Sequence, residues 1–330
     1  AALHLPCEGR WPRPYNAGME RTPFNPCTRR RFLGAMAAWP VGLVAGCGRE
    51  ARTAGPLYQA APPDQTGDDL YRLAVHPLHN PTKLLQRYGG LADYLSARLP
   101  RVQIALEASN DYAHFEDKTA RRAPHFLLPN PYQTLQALDH GYHVIAEVGD
   151  SADFRGVFIA RRDRLPAAPT ALRGGRVCYP APTALAAAML PQLWLARQGI
   201  DVRSETEAVY VGSQESAILA AYRGDCAVGV TWPLPWHAFQ RTHPAEAAEL
   251  VVVWETDSLI NNALMVRDDL PPALVAQVRA ALLDMAAHES GRELLQRMAI
   301  ARFNPADDAR YRTVVQAFLE DYRAKVGALP

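Results

Sequence analysis

The sequence predicts an α/β protein of two lobes joined by two chain crossings, a hinged clamshell. Three observations predict it. The chain has 330 residues, which at roughly 150 residues per domain suggests two domains. From Tyr71 onward, short apolar runs alternate with amphipathic stretches of helical period, the mark of strands and helices wound into a parallel sheet. That rhythm occurs twice, and the apolar run from Asn262 leads back towards the first set.

Taken in order, Arg72–His76 reads as a strand and Thr82–Leu99 as a helix with Leu84, Leu85, Tyr88, Leu91 and Leu95 on one face. Val102–Leu106 reads as a strand, Asp111–Arg121 as a helix, His125–Leu128 as a strand and Pro131–His140 as a helix. Val144–Val148 and Gly156–Ala160 add two strands. The second set begins with a strand at Gly175–Tyr179 and an Ala/Leu-rich helix at Pro182–Gln198, stopped before Gly199. Val209–Val211, Ala227–Thr231 and Leu250–Trp254 read as strands, with a helix at Glu215–Arg223. Asn262–Val266 is the returning strand, and the tail carries helices at Leu274–Met285 and Arg310–Ala324. This places lobe 1 at 70–160 plus 262–330 and lobe 2 at 161–261. Ligands of open α/β sheets sit beyond the carboxyl ends of the strands, so the expected site is the cleft between the lobes.

Ahead of the body, Thr28-Arg29-Arg30-Arg31-Phe32-Leu33-Gly34 precedes an apolar run, Ala35 to Gly46. A basic stretch, a short apolar stretch and small residues form a secretory signal. The paired arginines before Phe-Leu resemble the twin-arginine export signal. Leu43-Val44-Ala45-Gly46-Cys47 resembles a bacterial lipobox, which implies lipidation at Cys47. Residues 1–46 are therefore read as an export signal, whose Pro-rich beginning is a mis-called extension if Met19 is the true start. Residues 47–69, rich in Pro, Ala and Gly, read as a flexible tether. The apolar run is shorter than the ~20 residues that span a bilayer. Membrane attachment is thus expected through the lipid only, on the periplasmic side of a bacterial envelope.

Formal net charge is +1. Six arginines against Glu8 and Glu20 precede Cys47, a balance of +4 that leaves −3 for the rest. No basic stripe marks a nucleic-acid partner. Of the five cysteines, Cys178 and Cys226 lie in the body. A disulfide between them suits an oxidising compartment, but spacing does not decide it. There is no C-x-x-C, G-x-S-x-G, Walker-type, G-x-G-x-x-G or H-E-x-x-H motif. The pairs His76/His79 and His140/His143 sit at predicted strand ends or turns and make poor metal sites. No catalytic residue, metal or cofactor is expected, and the chain is not read as an enzyme.

Candidate binding residues cluster where a strand gives way to a helix. Asn80-Pro81-Thr82, Asn130-Pro131-Tyr132 and Ala181-Pro182-Thr183 share one form, a short turn with Pro at a helix start. The unpaired N–H groups and positive dipole end of such starts suit an anion, though each junction alone is also ordinary helix-start chemistry. Ser213, Gln214 and Ser216 supply hydroxyls and an amide at a fourth start. Lys83 adds positive charge, Tyr132 a hydroxyl and a ring, and Trp232 and Trp236 aromatic walls. Asp225 suits a ligand amine, while Arg-Gly-Asp is equally a plain turn.

With those residues in view, the chain resembles the phosphate/phosphite/phosphonate-type, PhnD-like substrate-binding proteins of ABC transporters over about Tyr71 to Tyr322. The resemblance rests on Tyr71-Arg72-Leu73-Ala74-Val75-His76-Pro77, the Tyr88 to Leu95 helix, Asn130-Pro131-Tyr132, Gly141-Tyr142 and Phe154 to Ile159. It continues through Leu172 to Val177, Leu190-Pro191, Val211-Gly212-Ser213 to Ala221, and Arg223-Gly224-Asp225. It implies a type II periplasmic-binding fold, capture of a phosphorus oxyanion, an ABC permease as membrane partner, and a monomer. Two departures bear on the ligand. A Ser/Thr-rich segment common in the family reads Ala181-Pro182-Thr183-Ala184-Leu185-Ala186 here, and Gln214 stands where His is common. A ligand-sensing accessory lipoprotein of the same fold, or a binder of another small solute, is the alternative.

Overall fold

Two mixed sheets organise the computed structural model, which describes residues 69–330. The export signal, Cys47 and the tether up to residue 68 lie outside the described residues. Lobe 1 opens with β1 (Asp69–Val75), α1 (Pro81–Ser96), β2 (Val102–Glu107) and α2 (Tyr112–Ala120). It continues with β3 (Phe126–Leu128), α3 (Pro131–Asp139) and β4 (Tyr142–Val148). The chain then crosses into lobe 2 with β5 (Val157–Arg161) and β6 (Arg176–Tyr179), a π-turn at Leu185–Met189, and α4 (Leu190–Arg197). Next come β7 (Glu207–Tyr210), α5 (Gln214–Arg223), β8 (Val228–Thr231), α6 (Pro233–Thr242), α7 (Pro244–Ala248) and β9 (Leu250–Glu255). The return brings β10 (Ala263–Arg267), α8 (Pro272–Leu283), α9 (Glu289–Met298), β11 (Phe303–Asn304) and α10 (Asp308–Lys325).

The first sheet has the order β11-β4-β10-β3-β1-β2 and the second β7-β6-β8-β5-β9. Each has a parallel heart, β2·β1·β3 and β7·β6·β8, to which the crossing strands add antiparallel. The returning strand rejoins the first sheet, the lobe to which the sequence predicts its return, and lies there between β3 and β4. One boundary moves. The strand assigned to lobe 1 at 156–160 is β5, which pairs with β8 and β9 in the second sheet. The first crossing is therefore at 149–156, and the second at 256–262. The crossings bond each other, Thr256 N–H donating to Gly156 O at 2.9 Å and Leu259 N–H to Phe154 O at 2.9 Å. Buried Glu147 anchors the pair by accepting from Ser151 Oγ at 2.5 Å, Asn261 N at 3.2 Å and Arg310 Nη2 at 3.0 Å.

Three further departures have local causes. The predicted helix Pro182–Gln198 is split, because Pro191 has no N–H to donate and its ring crowds the preceding turn. A π-turn relieves that conflict. Gly156 accommodates the result: a Cβ there would lie 2.7 Å from Ala186 O and 2.6 Å from Pro191 Cγ. Helix α6 forms across Trp232-Pro233-Leu234-Pro235-Trp236, where both prolines fall in the first turn and no donor is lost. Helix α9 docks through Gly291, where a Cβ would meet Met285 O at 1.9 Å. Cys178 and Cys226 are joined as a disulfide with Cα atoms 5.9 Å apart, tying β6 to the approach of β8. Among the described residues, no helix is long and apolar enough to cross a membrane.

Candidate ligand cleft

Both lobes belong to one structural unit, and they meet at the carboxyl ends of their parallel strands. In lobe 1 the junctions after β1, β2 and β3 each end in a capped helix start. The N-caps are Asn80, Asp111 and Asn130, whose side chains accept from Lys83 N, His114 N and Gln133 N. In lobe 2 Ser213 caps α5 by accepting from Ser216 N. Short polar side chains at these positions replace the missing intrahelical acceptors and leave the remaining first-turn N–H groups available.

These starts face one another across the lobe boundary. Asn130 does two jobs: its Oδ1 caps α3 while its Nδ2 donates to Thr183 O at 2.9 Å in lobe 2. Gln214, 3% exposed, is the centre of a chain of neutral groups. Its Nε2 donates to Tyr112 OH at 3.2 Å across the boundary, and its Oε1 accepts from Thr231 Oγ1 at 2.7 Å. At the lip, Glu215 accepts from Asn80 Nδ2 at 3.3 Å and from Lys83 Nζ at 2.9 Å. Between these contacts lies a cavity of about 20 Å³ bordered by His79, Asn80, Lys83, Gln214, Glu215 and Phe239. That is room for about one water and not for a phosphoryl group, so the lobes stand closed on each other.

Two imidazoles are buried behind the lip. His76 Nδ1 bonds Leu128 O at 2.9 Å, and burial pushes its pKa down to about 4 against that hydrogen bond. His79 is lowered to about 3, by burial first and then by the positive charges of Arg87 and Lys83. Its Nε2 has no partner. Both are therefore neutral near pH 7. Burial also raises the Tyr112 hydroxyl well above its usual range, so it stays protonated. Among the described residues, no group of three His, Cys, Asp or Glu could hold a metal ion.

Of the sequence-predicted residues, Asn80, Lys83, Asn130, Thr183, Ser213, Gln214 and Ser216 come together here. Ser213 and Ser216 bond each other at 2.8 Å as part of the cap. Others fall elsewhere. Thr82 is exposed on the first turn of α1. Tyr132 commits its hydroxyl to Pro330 O at 3.0 Å. Asp225 is exposed before β8, at the amino end of that strand and away from the cleft. Trp236 packs in a core of Val157, Ile159, Ile218, Phe239 and Leu250. Trp232 is buried 5.5 Å from the Phe154 ring, beside the first crossing. Ala181-Pro182-Thr183 is a turn rather than a helix start, and contributes a carbonyl instead of N–H groups. Tyr112, Thr231 and Glu215 were not anticipated. Asp111-Tyr112 carried a signal, since it repeats the strand, cap and helix form of the other junctions; the contacts of Thr231 and Glu215 carried none.

A bilobal α/β clamp whose neutral donors and helix starts converge on one interlobe plane is a solute-binding protein. This chain belongs to the family described as ABC transporter, phosphonate, periplasmic substrate-binding protein, whose model matches residues 73–311. Members of this family bind solutes and are not enzymes. The fold is similar to that of a binding protein component of an ABC phosphonate transporter from Pseudomonas aeruginosa, with TM-score 0.71, 15% identity, and coverage of 78% of this chain and 87% of that one. It is also similar to PhnD1 from Prochlorococcus marinus, solved with methylphosphonate, with TM-score 0.68, 16% identity, and coverage of 78% and 97%. A Xanthomonas citri protein solved with ATP gives TM-score 0.63, 19% identity, and coverage of 78% and 99%. The type II periplasmic-binding architecture follows from these likenesses.

Proposed function

We propose that the protein captures a small phosphorus oxyanion, namely phosphate, phosphite or a phosphonate, in the interlobe cleft and delivers it to an ABC permease. One observation carries the reading: four capped helix starts, those of α1, α2, α3 and α5, converge on the plane where the lobes meet. Each offers N–H groups and a positive dipole end, the ordinary equipment for an oxyanion. The neutral set of Tyr112, Asn130, Thr183, Ser213, Gln214 and Thr231 supplies further donors without a fixed charge. Methylphosphonate bound to the Prochlorococcus marinus protein is consistent with this ligand class. Lipid anchoring at Cys47 on the periplasmic side completes the proposal, the clamp working as a monomer tethered beside the permease.

Binding requires the clamp to open, since the closed cavity admits no ligand of this size. Opening breaks the Gln214–Tyr112 and Asn130–Thr183 bonds, and their donors become available to ligand oxygens. The test is calorimetric titration of the protein with phosphate, phosphite, methylphosphonate and sulfate, on wild type and Gln214→Ala. Saturable binding of one phosphorus oxyanion and not sulfate, weakened at least tenfold by the substitution, is the expected result. Binding of none of the phosphorus oxyanions refutes the ligand class.

A further inference from the structure

We infer that Glu215 is a resident stand-in for the ligand's anionic end: its carboxylate latches lobe 2 to lobe 1 and must be displaced before an anion can occupy the cleft. The inference rests on the oxyanion reading above and adds a regulator to that site. Glu215 is the second residue of α5, in lobe 2, yet its accepted side-chain hydrogen bonds come from lobe 1. Lys83 Nζ donates to both oxygens, at 3.0 and 2.9 Å, and Asn80 Nδ2 donates at 3.3 Å. These two donors sit at the start of α1, so the carboxylate occupies the position where a helix start and an ammonium favour an anion most.

Its surroundings make the exchange competitive. The facing groups are Lys83 and, behind it, Arg87, whose buried Nη1 has no partner. From α6 and the residue that follows it come Arg241 and His243, the latter with Nε2 3.5 Å from Glu215 Oε1. His79 is buried and neutral beside them. Among the described residues Glu215 is thus the one carboxylate bordering this cavity, and Lys83 the one ammonium. Lys83 Nζ and Asn80 Nδ2 already donate to the carboxylate, so a phosphoryl group can use them only once Glu215 releases them. An incoming oxyanion takes over Lys83 and Asn80, and Glu215 swings out towards water, being about one-quarter exposed already. A ligand-free clamp that closes on its own carboxylate lowers apparent affinity by the fraction of molecules so latched.

The test compares full-length wild type with Glu215→Gln, which keeps an acceptor of the same shape and removes the charge, and with Lys83→Met. Small-angle scattering without ligand reads closure, and calorimetry with methylphosphonate and phosphate reads affinity. The expected result is a larger ligand-free radius of gyration for both variants, a tenfold or greater gain in anion affinity for Glu215→Gln, and a loss for Lys83→Met. Unchanged scattering for Glu215→Gln overturns the latch, whatever the affinities. Opening of Glu215→Gln with weakened anion binding also overturns it, since Glu215 is then a ligand contact and not its competitor. If no phosphorus oxyanion binds any of the three proteins, the ligand reading fails, while scattering alone still decides whether Glu215 holds the lobes together.

Discussion

Removing the Cys178–Cys226 disulfide tests the energetics of lobe 2 directly. The bridge closes a sequence separation of 48 residues, a span that includes α4, β7 and α5. Chain-entropy arithmetic for a loop of that length gives about 4 kcal/mol at 25 °C. Both cysteines are buried, at 1% and 6% exposure, against Ala220, so alanines at both positions leave little void and add little to that figure. For a body of this size each kcal/mol corresponds to roughly 2–4 °C of melting temperature, which places the expected fall near 10 °C. The assay is differential scanning calorimetry of wild type, wild type with reductant, and Cys178→Ala/Cys226→Ala, with non-reducing peptide mapping to establish the linkage. Reduction and double substitution should produce the same shift. A fall below about 2 °C, or peptide maps with both thiols free, refutes the reasoning.

Two further outcomes are expected. His76 and His79, held neutral at pKa values of about 4 and about 3, bind a proton in the unfolded chain below about pH 6.5 but not in the native one. Stability is therefore full above that pH and falls as pH drops from about 6.5 towards 4, by on the order of 3 kcal/mol per histidine. Urea midpoints at intervals from pH 7.5 to 4.5 read the slope, and a flat profile from 7 to 5 contradicts the burial argument. Asp163, Asp201 and Asp321, lowered by side-chain hydrogen bonds to Arg161, Ser204 and Lys325 respectively, destabilise in the same direction only further down the scale. The second outcome is a contrast between glycines. A Cβ at Gly229 would lie 2.1 Å from Ala217 O, whereas at Gly89, inside α1, nothing lies within 4 Å. Gly229→Ala should cost at least ~2 kcal/mol by forcing β8 and α5 apart, and Gly89→Ala should gain up to about 1 kcal/mol of helix propensity. Equal midpoints for the two variants in denaturant melts would contradict both.

The order of strands and helices was largely legible because it is written in local chemistry. Asn80-Pro81 and Asn130-Pro131 predict helix starts, and both are capped as their residues dictate. Where a local rule had two outcomes, sequence reading erred. No helix is read across Pro233-Leu234-Pro235, yet at the first turn of α6 both prolines lose no donor. Pro191 inside an apolar run looks tolerable, yet it shifts the preceding bonds into a π-turn. The site was only half legible. Capping residues announce themselves by position, but Gln214 meets Tyr112 across 102 residues and Glu215 meets Lys83 across 132. No periodicity encodes such pairs. Aromatic residues misled for the opposite reason: Trp236 and Tyr132 are as useful to a core as to a cleft, and burial claimed them.

The interlobe contacts have a chemistry that matters for a clamp. On the cleft side, apart from Lys83 and Glu215, the groups that bond across the boundary are amides, a phenol and a backbone carbonyl, whereas beside α10 Arg197 pairs with Asp321 at 2.7 Å and Arg203 donates to Ala328 O at 2.9 Å. A neutral hydrogen bond is worth only about 1 kcal/mol net, because water replaces it on opening. Closure held by such bonds is cheap to reverse, and a ligand need only offer slightly better partners to shift the equilibrium. The crossings behave differently. None of the partners of their backbone bonds or of the buried Glu147 anchor lies at the lip. Weak, exchangeable contacts at the mouth and fixed, fully bonded contacts at the crossings give one soft degree of freedom, and the Lys83–Glu215 pair at the lip is placed where it biases that motion.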